Sequence, residues 1–178
     1  MMQPMSDFSN SGVEYLTGRG YQAPSCTQFS CFLSNRVGKL LELVEVFEGQ
    51  YLVLAALTVL EATDHAVIRV VTSRSELAAR LLQRNHIPYS ETELLAVEVG
   101  SEHTMSAVCK TLLAAEISIH YAYPMLVRPR GKTVIAIHTD DIILAGQILR
   151  RKLFTLLGEN DLGENATGSD PADFDPHG

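Results

Sequence analysis

Six histidines and three cysteines are the side chains of this sequence that could support metal binding or nucleophilic chemistry. They are His65, His86, His103, His120, His138, His177, Cys26, Cys31 and Cys109. None of the histidines forms an HxH or HExxH motif, and the cysteines form no CxxC pair. Those spacings are the ones that place several ligands on one metal ion. We therefore predict that the chain has no metal site.

The remaining motifs of covalent and phosphate chemistry are also missing. Cys31 and Cys109 occupy positions of an apolar periodic pattern, which predicts small buried side chains and not nucleophiles. No serine stands in a nucleophile-elbow motif, and residues 18–20 (GRG) are too isolated to form a phosphate loop. The sequence therefore predicts no catalytic residues, no cofactor and no enzymatic activity.

Charge and cysteine content indicate the cellular compartment and the classes of binding partner. The net charge is −7, but residues 158–178 contain six acidic residues and no Lys or Arg, so the rest of the chain carries −1. A nearly neutral body without a basic run does not favour nucleic-acid binding. No apolar stretch approaches the ~20 residues of a membrane span, and the first residues do not have the pattern of an export signal. The odd number of cysteines favours a reducing compartment, so we expect a cytoplasmic protein without a membrane partner.

Both ends of the sequence differ in composition from the middle. Residues 1–26 are rich in Ser, Gly, Gln and Pro, and residues 158–178 are acidic with only two large apolar side chains. Segments of this kind bury too little surface to offset the entropy lost on ordering. The composition predicts a mobile N-terminal extension, residues 1–26, and a disordered acidic tail, residues 158–178.

The middle of the chain contains an internal repeat. One helical face with i, i+3, i+4, i+7 spacing recurs 65 positions later, and a second helical face and a strand each recur 67 positions later. The repeated sets are Leu40, Leu43, Val44 and Phe47 with Met105, Val108, Cys109 and Leu112; Leu77, Ala78, Leu81 and Leu82 with Leu144, Ala145, Ile148 and Leu149; and Val67, Ile68 and Val70 with Val134, Ile135 and Ile137. Three matches in the same order predict a duplication.

Each copy has the element order β-α-β-β-α-β of a ferredoxin-like unit. We predict an α+β fold of two such units in tandem, residues 27–92 and 93–157, with antiparallel sheets that carry their helices on one face. Residues 89–99 must supply both the last strand of the first unit and the first strand of the second. Ser73 or Ser75 is the expected cap of the second helix.

The sequence resembles the ACT domains, which are regulatory modules that bind amino acids, and it is most similar to small bacterial proteins with two such domains. Residues 32–40 (FLSNRVGKL) are similar to the family's strand, Asn or Asp, two variable positions, Gly, any residue and Leu, with Val37 where the family often has Pro. Residues 91–99 and 119–123 are also similar to the tandem type.

The resemblance implies a ligand site where the first loop and helix of one unit face the second strand of its neighbour. The residues that match these positions are Asn35, Arg36, Val37, Gly38, Lys39, Leu40, Tyr121, Ala122 and Tyr123. A glycine lets backbone approach a ligand, and a helix N-terminus favours a carboxylate. Gly38 is equally compatible with a plain helix-entry glycine. The second loop has His103 at the position of Gly38 and also carries Glu102, so the first loop is the favoured site.

The resemblance further implies a non-catalytic protein that binds a small molecule, an amino acid, and that forms a homodimer through side-by-side sheets. The alternative from another class is a regulatory subunit that docks on an amino-acid biosynthetic enzyme, such as a branched-chain amino-acid synthase. An enzyme with a diffuse site, and a duplicate that has lost its ligand, remain two further alternatives.

Overall fold

In the part of the chain that the structure describes, seven strands and four α-helices follow each other in the predicted order. The structure is a computed structural model that describes residues 23–61 and 65–163. The elements are β1 (Cys26–Ser34), α1 (Lys39–Glu45), β2 (Leu54–Glu61), β3 (His65–Thr72), α2 (Ser75–Arg84), β4 (Tyr89–Val99), α3 (Met105–Leu113), β5 (Ile119–Pro124), β6 (Thr133–Thr139), α4 (Ile142–Arg151), β7 (Leu156–Leu157) and a 3-10 helix (Asn160–Gly163). The predicted α+β fold of two tandem βαββαβ units is confirmed.

The long strand β4 belongs to both units. Its first half, from Tyr89 to Leu94, pairs with β1, and its second half pairs with β6 from Leu95 onward. The short strand β7 pairs with β4 at Ala96 and Val97. The strands therefore form one antiparallel sheet in the order β2-β3-β1-β4-β6-β5. The boundary that we predict between residues 92 and 93 falls inside this continuous strand.

Each half of the sheet packs its own helices on one face. In the first half, Phe29, Cys31 and Ile68 pack against Leu43 of α1 and Leu82 of α2. The second half repeats this arrangement, where sheet and helix residues form one core of Leu95, Val97, Val108, Ile137 and Leu149. Because side chains alternate across a strand, every second residue of these strands points to the opposite, helix-free face.

The helix-free faces of the two halves cover each other. Cys26, Val71 and Ala56 from the first half share a buried cluster with Val134 and Ala136 from the second. The sheet curls far enough for its two edges to meet, since the Leu126 N–H, just after β5, donates to the Ala55 carbonyl of β2 at 2.8 Å. Much of the apolar face that a single ferredoxin-like unit leaves open is thus buried within one chain, although its outer margin at Phe32 and Leu60 stays exposed.

Some local predictions differ from the structure. The apolar run 51–60 predicts a strand from its first residue, but β2 begins at Leu54 because residues 49–53 make a turn in which Gly49 has a positive φ of 68°. Cys31 is buried as predicted, whereas Cys109 is exposed and the prediction for it is wrong. The buried face of α3 is formed by Val108 and Leu112, and the position after Val108 is rotated away from it.

The folded part of the chain extends beyond the predicted unit boundaries at both ends. Ala23 is buried against α4, and Leu162 of the 3-10 helix is 2% exposed in the cluster between the two halves. Both residues fall in segments for which the sequence predicts a mobile extension or a disordered tail. The rest of both predictions, residues 1–22 and 164–178, lies outside the described residues. No helix within residues 23–61 and 65–163 is long and apolar enough to cross a membrane.

Glu159 ties the end of the second unit to the first unit. Its carboxylate accepts hydrogen bonds from the Thr27 N–H at 2.9 Å and from the Ser75 N–H, at the start of α2, at 3.0 Å. Helix α2 has no side-chain cap of its own, because the Ser73 hydroxyl accepts from the Val53 N–H instead. The predicted serine cap is therefore wrong, and a carboxylate 84 positions away replaces it.

Partial burial raises the pKa of Glu159, but the hydrogen bonds from Ser75 and Thr27 outweigh that effect and hold the pKa below its usual value. A carboxyl group whose pKa is lowered by folding stabilises the fold above its unfolded pKa. That contribution is lost as the pH falls through the folded pKa. Glu159 should therefore stabilise the protein at neutral pH and cease to do so in acid.

The substitution Glu159→Gln should lower the free energy of unfolding by about 1 kcal/mol at neutral pH, because it removes a charge-assisted cap that is partly exposed to solvent. The difference from the wild type should shrink as the pH falls below about 4.5 and the wild-type carboxyl group becomes protonated. Urea unfolding at several pH values measures this difference in unfolding free energy. Glu76→Gln, in the exposed first turn of the same helix, is the control, and a difference that does not change with pH would contradict this assignment.

Gly146 is a buried residue in the middle of α4. A Cβ atom at this position would lie 2.6 Å from the Cβ of Ala23. Gly→Ala normally stabilises a helix by roughly 0.5–1 kcal/mol, but the overlap with Ala23 should reverse the sign here. We expect Gly146→Ala to lower the unfolding free energy in the wild type and to raise it in an Ala23→Gly background. Equal effects in the two backgrounds would show that the contact is unimportant.

Candidate functional site

The first loop, between β1 and α1, together with the first two residues of α1 contains six of the predicted site residues. Gly38 is the N-cap residue of α1 and has φ of 90°, a backbone conformation that residues with a side chain rarely adopt. A Cβ atom there would meet no atom within 4 Å, so the backbone conformation alone requires glycine. The structure thus accounts for Gly38 as a helix-entry glycine without a ligand.

The side chains of the first loop lie mostly in solvent. Asn35, Arg36 and Val37 are exposed, and Leu40 is 41% exposed. Lys39 forms an ion pair with Glu42 one turn further along α1. The loop offers charged and apolar groups at the surface, and the ligand role predicted for it stays a prediction.

Tyr121 and Tyr123 lie on the inner face of β5, between the two halves of the sheet. The side-chain Nε2 of Gln28 donates to the Tyr121 hydroxyl at 3.0 Å, and the Tyr123 hydroxyl donates to the side-chain Oε1 of Gln28 at 2.8 Å. Burial raises the pKa of Tyr123, and the neighbouring Tyr121 adds to this, so the hydroxyl stays protonated as the donor. Ala122 points to the opposite side and is exposed.

The structure does not bring these tyrosines together with the first loop in one chain. Their hydroxyls bond to Gln28, which stands six positions before Ser34 on β1, and a strand of that length spans about 20 Å. A site made from residues 35–40 and 121–123 would therefore need a second chain.

A cavity of about 290 Å³ lies at the second loop, between β4 and α3. This is the loop that corresponds to residues 35–38 in the duplication. The lining residues are Glu98, Val99, Gly100, Ser101, Glu102, His103, Lys132 and Thr155. The Gly100 N–H donates to the His103 carbonyl at 2.9 Å, which closes the loop, and Thr104 caps α3 by accepting from the Ala107 N–H at 3.2 Å.

Glu98 is one of the residues that line this cavity, and its carboxylate is buried. The residue is 4% exposed, and one of its carboxylate oxygens accepts from Nε of Arg130 at 2.8 Å. Arg130 stands on the hairpin between β5 and β6, where Gly131 has φ of 73°. A buried carboxylate with one partner retains further lone pairs for a hydrogen-bond donor. Lys132, at the end of the same hairpin, supplies a positive charge to the cavity lining.

The second loop is not the one that the sequence favours, because His103 replaces the glycine there. In the structure the His103 ring packs on the Phe154 ring, with centroids 4.7 Å apart, and the backbone at this position needs no glycine. The sequence signal for this site is Glu98, an acidic residue inside the apolar run of β4. Buried acids are rare unless they are paired, so this position could have pointed to the loop that follows it.

The buried cysteine side chains have surroundings that fit a structural role. Burial raises the pKa of the Cys26 and Cys31 thiols to about 12, so neither is a thiolate at neutral pH. Across the part of the chain that the structure describes, no group of three or more His, Cys, Asp or Glu side chains could hold a metal ion.

Comparison with known proteins agrees with this architecture. No curated protein matches the chain significantly. The protein BT0572 from Bacteroides thetaiotaomicron is similar in structure, with a TM-score of 0.70 and 25% identity over 80% of this chain and 98% of that one. The regulatory subunit of aspartate kinase from Thermus thermophilus, in its ligand-free form, has a TM-score of 0.49 and 8% identity over 72% of this chain and 92% of that one. The model of the ACT domain pair family matches residues 25–165, and this chain therefore belongs to that family.

Proposed function

We propose that this protein is a non-catalytic, cytoplasmic regulator that binds an amino acid in the cavity at the second loop. The ACT domain pair family supports a regulatory, ligand-binding role. The observation that carries the choice of ligand is the buried carboxylate of Glu98 in the wall of a cavity that Lys132 also lines.

The charges around the cavity match a ligand that carries both signs. Glu98 and Glu102 can accept hydrogen bonds from an ammonium group, and Lys132 can pair with a carboxylate. Such charge-assisted hydrogen bonds are the stronger class, and burial of Glu98 keeps water from competing for it. An α-amino acid has this pair of groups on one carbon atom.

The size of the cavity limits the ligand. A volume of about 290 Å³ is at the lower end of the range for small-molecule sites, and it corresponds to about ten water molecules. A free amino acid of roughly that number of non-hydrogen atoms fits, whereas a nucleotide cofactor does not.

The site that the sequence predicts at the first loop is kept as a separate proposal, an interchain site. A homodimer with side-by-side sheets could bring residues 35–40 of one chain to residues 121–123 of another, which one chain alone does not do. The outer edge of β2, where Val59 and Leu60 are exposed, offers unpaired strand backbone for such pairing. A ligand that binds one association state better than the other would then shift the equilibrium between them.

Thermal unfolding with each common amino acid at millimolar concentration tests the proposal. At least one amino acid should raise the melting temperature, because it binds the native state only. Glu98→Gln should weaken the binding of that amino acid by about tenfold or more, since the ammonium group loses a charged acceptor. Glu91→Gln, at an exposed position of the same strand, should leave the affinity unchanged.

Two results would contradict the proposal. One is a melting temperature that no amino acid changes, and the other is full binding by Glu98→Gln. An unresponsive protein that co-purifies with a biosynthetic enzyme from its native cell would favour the alternative of an enzyme-docking subunit.

A further inference from the structure

The helix-free face of the first half of the sheet is only partly covered by the second half. Three rows of residues cross it from strand to strand, as the strand register shows. The inner row is Ala56, Val71, Gln28 and Thr92; the middle row is Thr58, Arg69, Ser30 and Ser90; the outer row is Leu60, Val67 and Phe32. Directly opposite residues in antiparallel strands share a face, so each row points to the same side.

Burial falls from row to row. Ala56, Val71 and Gln28 of the inner row are completely buried by the second half. Ser30 in the middle row is 9% exposed, and Phe32 and Leu60 in the outer row are 44% and 41% exposed. The gap between the two halves of the sheet therefore widens from the middle row to the outer row, and its outer margin is apolar. We call this gap the wedge.

The centre of the middle row is a guanidinium group without a counter-charge. The Arg69 guanidinium carbon lies 3.9 Å from the centre of the Tyr121 ring, and Nε of Arg69 is buried without a hydrogen-bond partner. No ion pair involves Arg69 among the described residues. A partly buried charge that is balanced only by an aromatic ring still has hydrogen-bond donors to offer to an anion.

Hydroxyl-bearing residues flank Arg69 on both neighbouring strands. Thr58 and Ser30 are its register partners, and their backbones lie about 4.8 Å from that of Arg69 in each direction. The Ser30 hydroxyl already accepts from the Gln28 side chain at 3.2 Å, which leaves its hydrogen free to donate. A carboxylate over Arg69 would thus meet donors on both sides.

The outer row supplies an apolar surface next to this anion site. Phe32, Val67 and Leu60 lie two positions along their strands from Ser30, Arg69 and Thr58, which corresponds to about 7 Å. We infer that this wedge is a second ligand site, which takes a small organic carboxylate with its anionic end on Arg69, Ser30 and Thr58 and its apolar end on Phe32 and Leu60.

The site can be tested with 4-methylpentanoate as the probe and with the full chain. Calorimetry gives the affinity of the full chain for each probe. The neutral analogue 4-methylpentanamide and the short anion acetate should each bind about tenfold more weakly or worse, because one lacks the charge and the other the apolar group.

Arg69→Gln should weaken the binding of 4-methylpentanoate about tenfold, while Arg80→Gln, at an exposed position of α2, should not change it. Phe32→Ser should weaken the binding of 4-methylpentanoate and leave the binding of acetate unaffected. This variant keeps the test valid if Arg69→Gln folds poorly. Glu98→Gln should bind 4-methylpentanoate as the wild type does, because the two sites are separate.

The inference is overturned if the amide binds as well as the acid, or if Arg69→Gln and Arg80→Gln bind alike. It is also overturned if 4-methylpentanoate does not bind, and a lower mass in solution for Phe32→Ser would then show that a second copy of the chain covers this face.

Discussion

The shared strand β4 is the constraint on which the rest of the structure depends. It pairs with β1 through one half and with β6 and β7 through the other, so it fixes both units in one sheet. Its side chains alternate between two faces, where Leu95 and Val97 pack under the helices of the second unit and Leu94 and Ala96 pack between the two halves. A one-residue slip of this strand would exchange these sets and expose both cores.

The curl of the sheet follows from what the helices leave uncovered. Two helices cover only one face of each half, and an apolar sheet face exposed to water is costly. The halves bury that face against each other, and Leu162 and Glu159 after β7 complete the closure from the end of the chain. The closure is tight at Gln28 and loosens beyond Arg69, where Phe32 and Leu60 are exposed, which leaves a wedge of polar and apolar character.

The order of the strands and helices can be predicted from the sequence, but the way in which the two halves of the sheet meet cannot. Helical and strand periodicity, together with a duplication at a nearly constant offset, predicts both units because these signals are local. The packing of Val71 against Val134 and Ala136 could not be predicted, since it depends on how far a sheet curls. The cap that Glu159 gives α2 joins residues 84 positions apart, and no local pattern contains it.

The candidate site shows the same division between local and long-range information. A local motif predicts the role of Gly38 at the start of α1, and its left-handed backbone agrees with that motif but does not require a ligand. The cavity at the second loop depends on Glu98 and on the hairpin that carries Arg130 and Lys132, which meet only after β4 and β6 pair. The duplication thus preserved the fold in both units while the loops diverged in chemistry.

Backbone chemical-shift mapping by NMR, with the amino acid that stabilises the protein most, tests the central claim most directly. The largest changes should fall on Glu98, on residues 100–103 and on Lys132. Changes confined to residues 35–40, or no changes at saturating amino acid, would contradict it.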